Sequence, residues 1–211
     1  LASPDLMQMV VERLSLETRY VEKQFLRDVE LYDNTPLEMR LVADNPQSGF
    51  SFLTSFKGDG MVSLTDFRVS GEEVPGKAEC MLGDTVTTPV GVIALCPTSK
   101  VDDFSHDVRV VWSNSMSVAK HYCSAMSVTL SGKESTVVVL SIEDTYPRRA
   151  SDILMSLIDI YNEEWVRNKN RSARNTTDFI NERLVVIEKE LGGIENELKD
   201  YKQDNRLTDM S

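Results

Sequence analysis

Phosphoryl transfer, metal chemistry and nucleophilic attack each need particular side chains at particular spacings, and this chain of 211 residues offers a candidate for each. Ser131-Gly132-Lys133 has the Gly-Lys end of a phosphate-binding loop. However, Glu134 follows where Ser or Thr would hold the metal, and no glycine stands five residues before Gly132, so the segment reads as a hairpin turn. His106 and His121 are the only histidines; Asp102 and Asp103 lie close to His106, without the ligand spacing of a tetrahedral site. Cys123 lies two residues from His121, a separation that points the two side chains apart on a helix. Acidic pairs such as Glu72-Glu73 lose diagnostic value in so acidic a chain. No catalytic residue, metal ligand or cofactor is therefore expected.

Two basic clusters remain: Arg148-Arg149, and the set Arg167, Lys169, Arg171 and Arg174. They suit an anionic glycan or a neighbouring subunit's carboxylates. The plainer expectation is pairing with Asp152, Glu163, Glu164 and Asp178 nearby, since exposed charge runs are usually solvated faces. Asn175-Thr176-Thr177 matches an N-glycosylation triplet, a pattern with many chance occurrences.

The net charge of −11 and a pI near 4.7 argue against a nucleic-acid partner, because neutralising phosphates requires a basic face. An anionic membrane surface is disfavoured on the same ground. The densest apolar run, Val137 to Leu140, is strand-sized and far short of a membrane span. The chain starts at Leu1 without Met, as a segment of a longer protein would. Cys80, Cys96 and Cys123 cannot all pair within one chain; Cys80 and Cys96 flank a turn-rich segment, with pairing or simple burial both open.

The elements that would position these groups fall into an α+β pattern. Pro4 to Leu14 reads as a helix with Ser3 as N-cap and Pro4 in its first turn. Alternation then marks antiparallel strands at Leu37, Met39 and Leu41 and at Phe50, Phe52 and Phe56. Gly58-Asp59-Gly60 turns the latter into Met61 to Val69. Thr88 to Leu95 reads as one strand entered through a Pro89 and Gly91 kink, and Val108 to Trp112 as another. A short helix over Ser113 to Ala125 is followed by a strand through Val128 and Leu130, a turn at 131–134, and a strand from Thr136 to Ile142.

After Tyr146-Pro147-Arg148-Arg149-Ala150 the chain turns helical. Ile153, Leu154, Leu157, Ile158, Tyr161 and Trp165 form a first stripe. Ile180, Leu184, Ile187, Leu191, Ile194, Leu198 and Tyr201 form a second, spaced alternately four and three, the spacing of a coiled-coil seam. The two are out of frame across the polar run Arg167 to Asp178, which predicts a break, bend or stutter there. A helix of about 25 residues extends roughly 37 Å, more than a small domain needs, so it is expected to project. Gly192-Gly193 costs about 1 kcal/mol per glycine relative to alanine, so a partner helix is expected.

Several of these segments together resemble the periplasmic domain of Wzz-type polysaccharide chain-length determinants, of the kind fused to bacterial capsular tyrosine autokinases. They are Thr88-Pro89-Val90-Gly91, Ser131 to Thr136, Tyr146 to Ala150 with Ile153-Leu154, Leu157-Ile158 and Tyr161-Asn162, then Phe179-Ile180, Arg183-Leu184 and Glu188 to Leu191. The resemblance is strongest from Thr136 to Lys202. It implies a non-catalytic domain of a polysaccharide co-polymerase, held on the periplasmic side of the inner membrane between two flanking helices. Its implied partners are further copies of itself, a polysaccharide polymerase and the growing glycan.

On that likeness, residues 1–150 form the membrane-proximal body, 151–167 a helix packing on it, and 168–211 a long helix whose returning partner lies beyond this sequence. Pro89, Gly91, Tyr146, Pro147, Arg148 and Arg149 become structural junctions, the seam from Ile180 to Tyr201 an oligomer contact, and Arg167, Lys169, Arg171 and Arg174 glycan or subunit contacts. A different class, a binding or adhesion module using the helix as a stalk, fits the same pattern.

Overall fold

A computed structural model describes residues 3–24, 27–43, 46, 48–101, 106–132 and 136–204. Asp102 to Ser105 and Lys133 to Ser135 lie outside the described residues. The fold is α+β, with antiparallel sheets and three described helices, the last one long. The chain divides into two compact units, Leu1–Tyr161 and Asn162–Ser211.

In the first unit, one seven-stranded sheet runs in the order β2 (Asp28–Leu31), β1 (Thr18–Lys23), β10 (Val108–Trp112), β4 (Phe50–Gly58), β5 (Met61–Val69) and β6 (Glu72–Val74), with β7 (Ala78–Met81) also pairing β5. A three-stranded sheet orders β3 (Leu37–Ala43), β9 (Gly91–Pro97) and β8 (Thr85–Thr88). Their inner faces make one core, in which Phe50 stacks on Trp112 at 5.2 Å and Phe52 tilts against Phe67 at 5.8 Å. The alternation read at Leu37, Met39, Phe50 and Phe52 supplies buried positions, as period-2 packing requires. A bulge opposite Phe52 places Asp66 at φ 47°, and its carboxylate holds Arg68 and Arg109.

A second core joins α1 (Pro4–Arg13), α2 (Ser115–Ala125) and the start of α3 (Pro147–Asp204) through Met7, Val10, Tyr122, Ile153, Leu157 and Ile160. Ser3 occupies the N-cap of α1 without a side-chain cap bond, and Asn114 caps α2 by accepting from the Met116 N–H at 3.0 Å. Helix α1 closes with Ser15 at φ 52°: the Leu16 N–H reaches Val11 O at 2.9 Å and the Ser15 N–H reaches Glu12 O at 3.3 Å. Strands β11 (Met126–Leu130) and β12 (Val138–Ile142) form a separate hairpin, closed by the Ser131 N–H on Val137 O at 2.9 Å.

Four expectations are corrected. Two strands, β1 and β2, precede the first one anticipated, because Arg19, Glu22 and Lys23 hide the alternation of a strand whose buried residue is Tyr20. The segment from Thr88 to Leu95 is a hairpin. Pro89 and Val90 form its two-residue turn, Thr88 pairs with Gly91, and Gly91 sits at φ +124°. Pro89 presets the turn, and the Thr88 hydroxyl donates to Gly91 O at 2.7 Å.

The anticipated break between Arg167 and Asp178 is absent: α3 runs unbroken from Pro147 to Asp204. Residues Arg167 to Asp178 contain neither proline nor glycine, and the hydroxyls of Thr176 and Thr177 bond back to Ser172 O and Ala173 O, so a slipped apolar frame bends nothing. Finally, the buried face of its first turns is Arg149, Ile153, Ser156, Leu157 and Ile160, whereas Ile158, Tyr161 and Trp165 are exposed. The stripe follows Ile160, one helical step on from Leu157.

Candidate functional site

The junction between sheet and helix is built by four consecutive residues at the end of β2. Glu30 binds Arg149 Nη1. Leu31 enters the sheet core. The Tyr32 hydroxyl donates to Asp152 at 3.0 Å while its ring tilts over Tyr146 at 5.5 Å. Asp33 accepts from the Tyr146 hydroxyl at 2.7 Å and pairs with Arg148. Pro147 opens α3 as its first residue, where the missing N–H costs nothing, and the Ala150 N–H begins the helical ladder on Tyr146 O at 3.1 Å.

Arg149 is the centre of this junction. Its guanidinium gives Nε to Asp144 Oδ2 at 2.8 Å and Nη2 to Asp144 Oδ1 at 2.6 Å, a bidentate fork, while Nη1 takes Glu30. Its side chain is 8% exposed and that of Asp144 3%. Burial alone would raise the Asp144 carboxyl; the bonds from Arg149 and from the Tyr146 N–H overcome it and hold the group below the usual carboxylate range. Burial likewise disfavours the Arg149 charge, but its bonds to Asp144 and Glu30 raise it on balance. The arginine pair expected to meet Asp152 and its helical neighbours instead finds Asp33 and Glu30, which the fold brings from over a hundred residues away, and Asp144, five residues before Arg149.

Two recesses flank this cluster. One, of about 650 Å³, opens between the end of α1 and strands β1 to β3; the other, of about 500 Å³, opens beside α2 and the loop before α3. Arg19, Glu30, Tyr122 and Arg149 line both. His121 lines the second recess, its ring edge-on to Tyr122 at 5.5 Å, and Cys123 lies in the helical core's margin. His106 Nδ1 lies 3.1 Å from Glu22. Among the described residues no three His, Cys, Asp or Glu side chains come together as a metal site, and Cys80, Cys96 and Cys123 are free thiols.

The Pro89 turn serves packing. A Cβ on Gly76 would stand 2.4 Å from Pro89 Cγ, so the glycine is there for close approach over Phe67.

In the second unit the seven seam residues Ile180, Leu184, Ile187, Leu191, Ile194, Leu198 and Tyr201 are between 48% and 62% exposed. Their spacing puts Leu184, Leu191 and Leu198 at heptad position a and Ile180, Ile187, Ile194 and Tyr201 at d. Leucine at a with isoleucine at d favours assemblies of more than two helices. Gly192 and Gly193 fall at b and c, off the seam, with open space around them. Of the basic set, Arg167 pairs with Glu164 and Lys169 lies 5.5 Å from the Trp165 ring centroid, while Arg171 and Arg174 are exposed.

Sequence reading picked out the apolar stripe from Ile180 to Tyr201, which is exposed on α3, and the Arg148-Arg149 pair, but missed Glu30, Asp33, Tyr32 and Asp144 around that pair. Only the Tyr146-Pro147 boundary hinted that something must anchor a helix there. No protein-family model and no curated protein matches the chain.

Proposed function

We propose that this chain is a non-catalytic domain of a polysaccharide co-polymerase. In this reading it sits on the periplasmic side of a bacterial inner membrane, flanked by membrane helices, and sets exopolysaccharide or capsule chain length by assembling with copies of itself beside a polymerase and its growing glycan. The observation that carries this reading is the exposed seam of the second unit, with its leucine and isoleucine in the arrangement that favours multi-helix assembly. Its flanking charges agree. Parallel, in-register copies would set Arg183 against Glu188 and Glu197 against Lys202 across the interface, with one like-charge opposition at Glu190 and Glu195.

The test replaces Leu184 and Leu191 together by serine in the full-length protein. Each large apolar side chain removed from a packed seam loses about 2–5 kcal/mol. Sedimentation of the purified protein should show smaller assemblies, and the producing bacterium should lose its modal glycan length at normal protein abundance. Unchanged mass and unchanged glycan length would refute the reading.

A further inference from the structure

We propose that the larger recess beside Arg149 binds a small carboxylate-bearing saccharide, its carboxylate held between the Arg19 guanidinium and the Tyr122 hydroxyl. Tyr122 is only 6% exposed, yet its hydroxyl has no hydrogen-bond partner among the described residues. Nor is it sealed away from solvent: among the described residues the sealed, unpartnered side-chain oxygens are those of Thr54 and Ser156. A buried phenol that lines a recess and keeps its donor open is a recognition group awaiting an acceptor. Burial pushes this phenol's pKa up, so it stays a donor at neutral pH.

Arg19, on β1, is exposed and forms no ion pair among the described residues, while the field at the Tyr122 hydroxyl comes from Arg149, Asp144, Glu30 and Arg19. Arg149 spends three of its five N–H donors on Asp144 and Glu30, which neutralise it and leave Arg19 as the unpaired cation of this corner.

The charge balance selects the ligand. Of the arginines that line the recess, Arg149 is held by Glu30 and Asp144 and Arg40 lies 3.5 Å from Glu38, which leaves the Arg19 charge facing the recess. A monoanion matches that single charge, whereas the second charge of a phosphate dianion would face Glu30 and Glu38 on the same wall. A guanidinium beside a hydroxyl donor suits the two oxygens of one carboxylate. The volume of about 650 Å³ lies within the range of small-molecule sites, and the half-buried Tyr32 on its wall offers an apolar ring to the C–H surface of a sugar. The saccharide part of this inference rests on the proposed function; the carboxylate part rests on the recess.

The test is a titration of the isotopically labelled chain with sodium glucuronate, glucose and sodium acetate at constant ionic strength, followed by amide chemical shifts. Glucuronate should give saturable shifts centred on Arg19 and Tyr122, with acetate weaker and glucose weaker still. Tyr122→Phe, which keeps the ring, and Arg19→Gln should each weaken glucuronate roughly tenfold, with the remaining spectrum unchanged. Absence of saturable shifts, or shifts indifferent to both variants, would overturn the site. Equal affinity for glucuronate and acetate would overturn the saccharide assignment. Glucuronate binding alongside seam variants that leave glycan length untouched would uphold the recess while removing the chain-length reading.

Discussion

Replacing Arg149 by methionine tests whether the sheet-to-helix junction is held by buried charge. The substitution keeps most of the apolar stem and removes the guanidinium, leaving Asp144 at 3% exposure with the Tyr146 N–H at 2.7 Å as its remaining bond, and Glu30 at 24% exposure without its partner. Breaking one side of a buried pair costs about 3–5 kcal/mol, because a desolvated charge loses its compensation. For the first unit, Leu1–Tyr161, that loss of about 3–5 kcal/mol corresponds to a fall in melting temperature of roughly 6–20 °C.

The pH dependence has a definite sign. In the parent the folded pKa of Asp144 is depressed, so its contribution is present above the unfolded carboxyl pKa of about 3.9 and is lost as pH falls through the folded value. In the variant that carboxyl is buried without its cation, its folded pKa rises, and acid relieves the penalty. The difference between the two proteins should therefore be largest near pH 7 and shrink toward pH 4. Urea unfolding followed by the fluorescence of Trp112, buried in the sheet core, measures it once Trp165, the second tryptophan, is changed to phenylalanine. Adding Asp144→Asn to Arg149→Met should recover part of the loss. A loss below about 1 kcal/mol at pH 7, or a difference constant down to pH 4, would refute the buried-pair argument.

Arg148→Ala should leave the melting temperature close to that of the parent, because the Arg148 side chain is 67% exposed and exposed pairs contribute little; a loss matching that of Arg149→Met would show that exposure misjudges this junction. Gly76→Ala should destabilise the protein by about 1–3 kcal/mol, since its methyl would meet the Pro89 ring; urea midpoints at or above the parent's would contradict this. Tyr20→Phe removes the oxygen that accepts the Met39 N–H at 2.8 Å in a buried setting, so a loss of about 1–3 kcal/mol is expected in the same assay. Hydrogen exchange at Met39 should accelerate in that variant, and unchanged exchange would count against the bond.

What was legible in the sequence was what period and turn chemistry encode locally. Phe50, Phe52 and Phe56 announce β4, and the Gly58-Asp59-Gly60 turn into β5 is found with all three residues at positive φ. Local signals failed where tertiary partners decide. The Thr88 to Gly91 segment has strand residues on either side, and only the register with β8 shows a hairpin. The polar run after Trp165 has no outward sign of continuity, yet nothing in it stops a helix. Acids such as Glu30 and Asp33 look like surface charge because their partner arginines lie 119 and 115 residues away.

That distance gives the junction its structural role. Residues Glu30 to Asp33 are adjacent in the chain but serve two cores: Leu31 belongs to the sheet core, while Tyr32 packs against the helical one. A rigid, short strand end can serve both only if the first turn of α3 is fixed in rotation and in depth. The bidentate Asp144 fork fixes Arg149 from the loop before the helix, and Glu30 fixes it from the sheet. An apolar residue at position 149 could fill the same space but would accept neighbouring rotations of the helix almost equally well, since dispersion is nondirectional.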